Sequence, residues 1–543
     1  MNAYAYPLLI KQLLKMPMAQ ASRREIVYRG DQRFTYPQFV ERVQRLGGVL
    51  AAFGAGMGSR IAVMDWDSHR YLEAYFAIPM SGAVLMTVNI RLSPEQIAYT
   101  IRHSGAEILL IHRDFLPLLE KIREILPTVR AAVLLSDEPD PKMPEGFAGE
   151  YEALIAGAAL HQFPDFDENT AATTFYTTGT TGMPKGVVFT HRQIVLHTLG
   201  IMSTLAMAGL NARFSREDVY MPLTPMFHVH AWGIPYAATM MGMQQVYVGR
   251  FVPETVLKLF AAERVTVSHC VPAIMHMILS APAAENLDLS GWHVIIGGSA
   301  LSRSLCEAAL ARGIDIFSAY GMSETGPLIT LTQLRADLLD AASDRREMEI
   351  GLRLSAGMPA ALVDLRIVDE HMRDMPRDGK SVGEVVVRAP HLTPYYVHDP
   401  LASDALWQGG WMHTGDIGTV DENGYLRIVD RAKDVIKSGG EWISSVDVES
   451  IIMTHPSVLE VAVVGGADER WGERPVAFVV IKPGAAPDEQ KIRAKVRARS
   501  ETGQISRHAV PDRIIFVDAL DKTSVGKVDK RALRARIAGM SLV

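Results

Sequence analysis

The chain has 543 residues, 48% of them hydrophobic and 21% charged, a formal net charge of −6 and two cysteines. Such a length exceeds one compact domain, and such an apolar share fills large cores. The mild acidic balance, without blocks of like charge, excludes nucleic acid as the main partner, and Cys270 and Cys306 alone make no disulfide framework, which fits a reducing, cytoplasmic setting.

The opening stretch, MNAYAYPLLIKQLLKMPMAQ, lacks a basic start followed by an apolar run and a cleavage site. No charge-free apolar run reaches the length of a membrane span. PLLIKQLL reads as a packed N-terminal helix, with a peripheral membrane contact as the alternative. RIAVMDW (60–66) reads as a buried strand, SHRYLEAYFAIPMSG as a helix and AVLMTVN (83–89) as a second strand. Ser93 before Pro94, with Gln96 three residues on, marks a helix start, and Gly105 marks its end before the strand EILLIH (107–112). Repeated strand–helix–strand units predict a parallel sheet covered by helices. The pattern continues through VTVSHCVP and WHVIIGG. Between about 350 and 430 it changes to short strands and turns, ALVDLRIVDE and GEVVVRAP among them. After DRAKDVIKSGGEW, a helix (VDVESIIMTH), two strands (VAVVGGA, PVAFVVIK) and a second helix (EQKIRAKVRARS) predict a small α+β unit of domain size.

TTGTTGMPKGV (177–187) packs glycines and hydroxyls around one lysine. A Walker loop needs G-x-x-x-x-G-K-[ST] opening a helix. Here Met183 and Pro184 separate Gly182 from Lys185, Gly186 stands where Ser or Thr belongs, and the following VVFTH reads as a strand. GAGMGS (54–59) misses the dinucleotide fingerprint at Ser59, and its helix-then-strand context is reversed. What remains is a turn whose N–H groups and threonine hydroxyls suit a polyphosphate, with Lys185 as counter-charge. A surface turn of the same composition would look similar.

Five later stretches carry polar groups that structure alone does not demand. GGSALS (297–302) ends an apolar strand in glycines that let a flat ring approach the backbone. AYGMSETGP (319–327) sets Tyr320, suited to stacking on a base, near Glu324, suited to Mg²⁺. GWMHTGDIG (410–418) offers Asp416 for a ribose diol, DRAKDVIKSGGEW (430–442) adds Arg431, Lys433, Lys437 and Trp442, and KTSVGKVDKRALR (522–534) puts Lys527 on a loop. Singly, each also reads as a core aromatic, a turn carboxylate or a solvated lysine.

Taken in this order, YTTGTTGMPKGVVFTH, PMFHVHAW, YGMSETGP and DRAKDVIKSGGEWISS resemble the acyl-adenylate-forming superfamily of acyl-CoA synthetases, luciferases and adenylation domains, and within it bacterial medium- and long-chain fatty acyl-CoA synthetases. The resemblance spans essentially the whole chain. It implies an α/β fold: a large N-terminal domain of helix-covered sheets with a β-rich subdomain (1–432), and a small mobile α+β C-terminal domain (433–543) hinged at Lys433. It implies that Thr177, Thr178, Gly179, Thr180, Thr181 and Lys185 hold the ATP pyrophosphate, with Thr177 and Glu324 near Mg²⁺. Gly298, Ser299 and Ala300, together with Ala319, Tyr320, Gly321, Met322 and Ser323, flank the adenine. Asp416 binds ribose, while Arg431, Lys433, Lys437 and Trp442 approach the nucleotide. Lys527 joins Lys185 and Glu324 as a catalytic group. His228 and the gating Trp232 line the acyl and CoA channel with Gly439 and Gly440. Asp521, where a proline is common, and ISRHAVPD, without an aromatic or basic lead-in, depart from the pattern.

Residues 219–249 contain no Asp, Glu, Lys or Arg. Amino-acid-activating relatives need a carboxylate there, so its absence favours an uncharged acyl group; a buried core segment is the alternative. Met240, Met241 and Met243 would give a pocket in this segment an adaptable lining. His228 and His230, two apart, lack the further ligands that zinc requires. The expected activity is an ATP-, Mg²⁺- and CoA-dependent fatty acid–CoA ligase, active as a homodimer on small-molecule substrates. The alternatives are a ligase for an aryl or short sulfur-containing acid, an acyl-AMP ligase loading a carrier protein, and a non-catalytic nucleotide or acyl sensor.

Overall fold

The computed structural model describes residue 4 and residues 6–20, 23–177, 183–207, 214–503, 505–522 and 528–540. The chain forms two compact units. The first holds residues up to 177, 183–364 and 388–405, and the second 365–387 and 406–543.

Two sheets build the first unit. Among the described residues, one has seven strands in the order 149–150, 131–135, 108–112, 60–64, 84–87, 171–177 and 185–190. Every neighbouring pair is parallel except the last, where Ala171–Thr177 runs antiparallel to Lys185–Thr190. The other has nine, with a parallel centre (315–321, 293–296, 267–270, 219–222, 244–247, 25–28) and antiparallel strands at both edges. Their central strands are buried apolar runs, as sheets covered on both faces require. The helix His69–Met80 is buried along its whole length, the mark of a helix inside a core. Its N-cap Ser68 accepts from the Tyr71 amide at 3.1 Å.

The local signals read from the sequence act as expected. Ser93 and Gln96 exchange hydrogen bonds in a capping box, and Gly105 ends that helix in the left-handed region at φ 70°. GAGMGS is a connection between the helix Tyr36–Ala52 and the strand Arg60–Met64. PLLIKQLL packs inward: Leu9, Ile10, Leu13 and Leu14 are buried, and the Ile10 amide donates to His191 Nδ1 at 3.2 Å. Among the described residues no helix is long and apolar enough to cross a membrane.

The second unit begins with a four-stranded sheet, Asp364–Val368, Gly383–Arg388, Met412–Val420 and Leu426–Arg431. An α+β body follows. The strands 441–443, 436–438, 472–481, 458–468 and 513–516 form one sheet. Ser445–Met453 and Glu489–Glu501 pack on one face through Val448, Ile452, Ile492 and Val496, and Lys530–Met540 packs on the other through Leu533 and Ile537. Lys433, the expected hinge, lies within this unit, between the strands Leu426–Arg431 and Ile436–Ser438.

Candidate functional site

Thr177 and Lys185 are register partners at the facing ends of two antiparallel strands. Thr178, Gly179, Thr180 and Thr181, between them in sequence, lie outside the described residues, as does Lys527. The Lys185 ammonium stands 3.6 Å from Asp399 Oδ2 and 4.9 Å from the centre of the Tyr396 ring, a cation–π contact. Tyr396 donates its hydroxyl to Glu324 Oε1 at 2.6 Å. Burial, and after it the Glu324 carboxylate, push the Tyr396 phenol well above its ordinary range, so it remains a donor at neutral pH.

The backbone holds this line of groups together. The Val397 amide bonds Gly186 O at 2.8 Å and the Thr393 amide bonds Glu324 O at 2.9 Å, while Thr393 Oγ1 donates to Val188 O at 2.9 Å. The segment 393–399 thus ties the lysine strand to the Glu324 turn. Glu324 is only 6% exposed. Its turn demands Gly321, because a Cβ there would fall 1.6 Å from Pro327 O.

The strands His293–Ile296 and Asp315–Gly321 are parallel neighbours. Their carboxyl ends bring Gly298, Ser299 and Ala300 beside Ala319, Tyr320 and Gly321, with Met322 and Ser323 following. In open α/β sheets ligands bind at such ends. Gly298, Ser299 and Ala300 are exposed and Tyr320 is half-buried.

Trp232 lies beneath this edge. A Cβ on Gly297 would meet its ring at 3.0 Å, and the ring packs 4.9 Å from His269 in a cluster with Tyr220, Ile295, Phe317 and Ala319. The turn that carries it is left-handed: Val229, His230, Ala231 and Trp232 have φ of 49°, 54°, 46° and 60°, and Gly233 has 72°. L-residues resist this conformation by roughly 1–2 kcal/mol each. The start of the turn is clamped by the Met226 amide on Asp67 Oδ1 at 2.7 Å and by the Tyr75 hydroxyl on Met226 O. Burial lifts the Asp67 carboxyl to about 7. His228 caps the turn half-buried. His230 is fully enclosed against Phe175, Tyr75 and Tyr236, and burial pushes its imidazole down to about 3. Among the described residues, no group of three or more His, Cys, Asp or Glu could hold a metal ion.

Most of the charge-free stretch 219–249 is core. Val219–Pro222 is buried, Gln244–Tyr247 is buried beyond its first residue, and the helix Ile234–Met241 is buried through Thr239. Met240 and Met241 are half-buried and Met243 is buried. For these elements burial itself accounts for the missing charge. Met226–Trp232 is the part that runs beneath the strand ends.

The other candidates stand on the second unit. Asp416, 6% exposed, is the register partner of Arg431, whose Nε lies 3.4 Å from Asp416 Oδ1. Partial burial, and then the charge of Arg431, hold the Lys433 ammonium below its ordinary value. Lys437 faces Trp442 across a two-stranded ribbon, its ammonium 5.0 Å from the ring centre. Gly439 and Gly440, between those strands, have φ of 61° and 82°. A side chain on Gly439 would press on His508 and Trp471 at 3.1 Å.

Sequence reasoning missed Tyr396. Its only signal was the Tyr395–Tyr396 pair in TPYYVHDP. It also missed the left-handed turn, where Val and Trp are residues least expected at positive φ.

Residues 15–397 match the family described as AMP-binding enzyme, and residues 447–527 match the AMP-binding enzyme C-terminal domain. A long-chain-fatty-acid–CoA ligase of Thermus thermophilus is 39% identical, covering 98% of this chain and 97% of its own. A 3-methylmercaptopropionyl-CoA ligase of Ruegeria pomeroyi is also 39% identical, covering 93% of this chain and 92% of its own. A crystal structure of an anthranilate CoA ligase in complex with anthranoyl-AMP superposes with a TM-score of 0.84 at 24% identity, over 99% of each chain, a likeness of fold.

Proposed function

The chain belongs to the AMP-binding enzyme family as an acyl-CoA ligase, and on that premise we propose that its acid is a medium- or long-chain fatty acid. A carboxylate is a poor acyl donor, because its leaving group would be oxide. In the first step the carboxylate oxygen attacks the α-phosphorus of ATP, and the bond to the bridging oxygen breaks to release pyrophosphate and leave acyl-AMP. In the second, the CoA thiol loses its proton and attacks the acyl carbon, and AMP departs.

Both reactants of the first step are anions, so cations must offset their repulsion as charge moves onto pyrophosphate. Lys185, held over Tyr396 and beside Asp399, takes that role at the phosphates. Lys527 supplies a second cation. The Glu324 carboxylate and the Thr177 hydroxyl are the hard oxygen donors that Mg²⁺ takes; bound there, the ion would neutralise phosphate charge. Asp416 accepts the ribose hydroxyls, and Gly298–Ala300 with Tyr320 flank adenine. The second step uses a rotation of residues 433–543 about Lys433, which brings Gly439 and Gly440 to the thiol channel beside His228. The strained, clamped turn 229–233 supports reading Trp232 as a gate, since strain of this kind collects at switching sites.

One observation carries the substrate reading. The Met226–Trp232 loop passes beneath the nucleotide-side strand ends with no formal charge, and its enclosed histidine is held neutral. A substrate ammonium or second carboxylate would find no partner in it. A short sulfur-containing acid is the second reading, favoured by the methylmercaptopropionyl-CoA ligase relative. Pyrophosphate release with a panel of acids, with and without CoA, tests both. Octanoate and longer acids are expected to lead; stronger release with 3-methylmercaptopropionate selects the second reading, and stronger release with amino acids or dicarboxylates overturns both. Resemblance to bacterial synthetases supports a homodimer, which light scattering checks.

A further inference from the structure

Asp430 and Asp434 stand on either side of Lys433, and each is bonded to a later part of the second unit. The Asp434 carboxylate accepts from Arg534 of the C-terminal helix at 2.6 Å. Both of these residues follow Lys433, so a rotation there carries the pair along intact. Asp430 differs. It precedes Lys433, is 5% exposed, and its Oδ2 accepts from the Ser445 amide at 2.9 Å and from the Ser445 hydroxyl. The Lys530 ammonium donates to Ser445 Oγ at 2.5 Å and lies 2.8 Å from Glu449 Oε1. Beside them the Ser444 hydroxyl donates to Val429 O at 2.7 Å.

These bonds place the first amide of the helix Ser445–Met453 on a buried carboxylate, an arrangement that the helix dipole favours. The low dielectric strengthens each bond when made and raises the cost of leaving its partners unpaired. Burial pushes the Glu449 carboxyl up while Lys530 pulls it back, so the ammonium serves Glu449 as well as the Ser445 hydroxyl. The chain Asp430–Ser445–Lys530 therefore joins the strand that carries Arg431, beside Asp416, to the start of the C-terminal helix. A rotation about Lys433 separates Ser445 from Asp430 and Ser444 from Val429, while the Ser445–Lys530 bond moves with the rotating part.

We propose that Asp430 and Ser445 form an orientation latch across the Lys433 hinge, with Lys530 donating to the Ser445 hydroxyl behind it and Ser445 as a positioning residue for adenylation. The latch rests on the two-step reading above. While closed, it keeps the start of the helix Ser445–Met453 on the strand pair that presents Asp416, the ribose ligand, and so favours the nucleotide-facing arrangement. Opening it releases residues 433–543 for thioester formation.

The test uses the full-length enzyme and measures the half-reactions apart: pyrophosphate release from ATP and acid, and AMP release from added acyl-AMP and CoA. Ser445→Ala is expected to slow the first about tenfold, the lower end of what a hydrogen bond to a charged group is worth. The second should hold or rise. Arg534→Met breaks the pair that moves as one body and should leave the ratio of the two rates unchanged. Parallel loss of both half-reactions in Ser445→Ala, accompanied by a lower melting temperature, overturns the latch and makes Ser445 a fold-supporting residue. The same split from Arg534→Met as from Ser445→Ala overturns it too. If the unaltered enzyme releases no pyrophosphate with any acid, the ligase reading has failed rather than the latch.

Discussion

The candidate residues of the two units stand in different settings. In the first unit Glu324 is 6% exposed and locked to Tyr396, which in turn lies under Lys185, with backbone bonds from 393–397 holding the assembly. In the second, Lys433, Lys437, Gly439 and Gly440 are exposed and Trp442 is 43% exposed on a short ribbon. Groups of the first kind are preorganised and act on charge without rearranging. Groups of the second kind are hydrated, and their charges are screened by salt. On the two-step reading proposed above, the first kind would cradle the nucleotide and the second would supply cations and a channel in turn.

The largest effects should separate these two settings. Glu324→Gln and Lys527→Ala are each expected to slow acyl-adenylate formation by roughly 10²–10³, the cost of removing one preorganised charge stabiliser. Rapid-quench measurement of acyl-AMP checks this. Lys527→Ala should spare CoA transfer from added acyl-AMP; equal slowing of both steps would falsify its assignment to one orientation. Lys433→Pro, which fixes φ near −65°, is expected to do the opposite, blocking transfer at least tenfold while adenylation continues. Loss of adenylation in that variant would move the hinge elsewhere.

Trp232→Ala tests whether a core residue can also be a gate. Emptying this site should cost about 3–5 kcal/mol of stability, seen as a lower melting temperature, and should weaken the dependence of acid binding on ATP. A stability loss with that dependence intact leaves Trp232 as core alone. Tyr396→Phe removes one hydrogen bond to a carboxylate and should slow adenylation by about tenfold with KM for ATP little changed; an unaltered kcat would make the tyrosine a spacer.

A separate effect, on pH stability, belongs to the first unit. Burial pushes His230 and His269 down to about 3 and His191 and His391 to about 4, and lowers His197 as well. An unfolded histidine takes its proton near about 6.5. Below that pH the unfolded chain binds protons that the folded chain refuses, so stability falls as pH drops from about 6.5 toward 4, by up to about 1.4 kcal/mol per histidine per pH unit. Asp67, raised to about 7, works in the other direction and offsets about one of them. Melting temperatures at pH 7 and pH 5 should show a net loss at pH 5, and a flat profile would mean that these rings gain access to water.

Much of the fold was legible. Ser93, Gln96 and Gly105 bracket a helix because a cap and a left-handed stop act within a turn or two of chain. The strand after TTGTTGMPKG was legible from its apolar run, and it alone separated this loop from one that opens a helix. The packed N-terminal segment followed from its apolar residues. The site was legible as a set of stretches, each carrying its own chemistry. It was not legible as a geometry: Tyr396 meets Glu324 across 72 residues, and nothing in TPYYVHDP names a partner. The left-handed turn at Val229–Gly233 ran against the preference of almost every residue in it.

The sequence by itself determined where strands and helices start and stop, which loops carry glycine, hydroxyl, carboxylate and ammonium groups, and the family those groups resemble. These are properties of periodicity and of caps that span a few residues. Only the tertiary structure decided which carboxylate holds which tyrosine, that most of 219–249 is core, and that Asp430 reaches past Lys433 to Ser445. Pairings of that kind depend on packing between residues distant in the chain. A buried carboxylate or hydroxyl takes whichever partner the packing brings within reach, because leaving it unpaired costs about 1–3 kcal/mol, and no local pattern records which partner that will be.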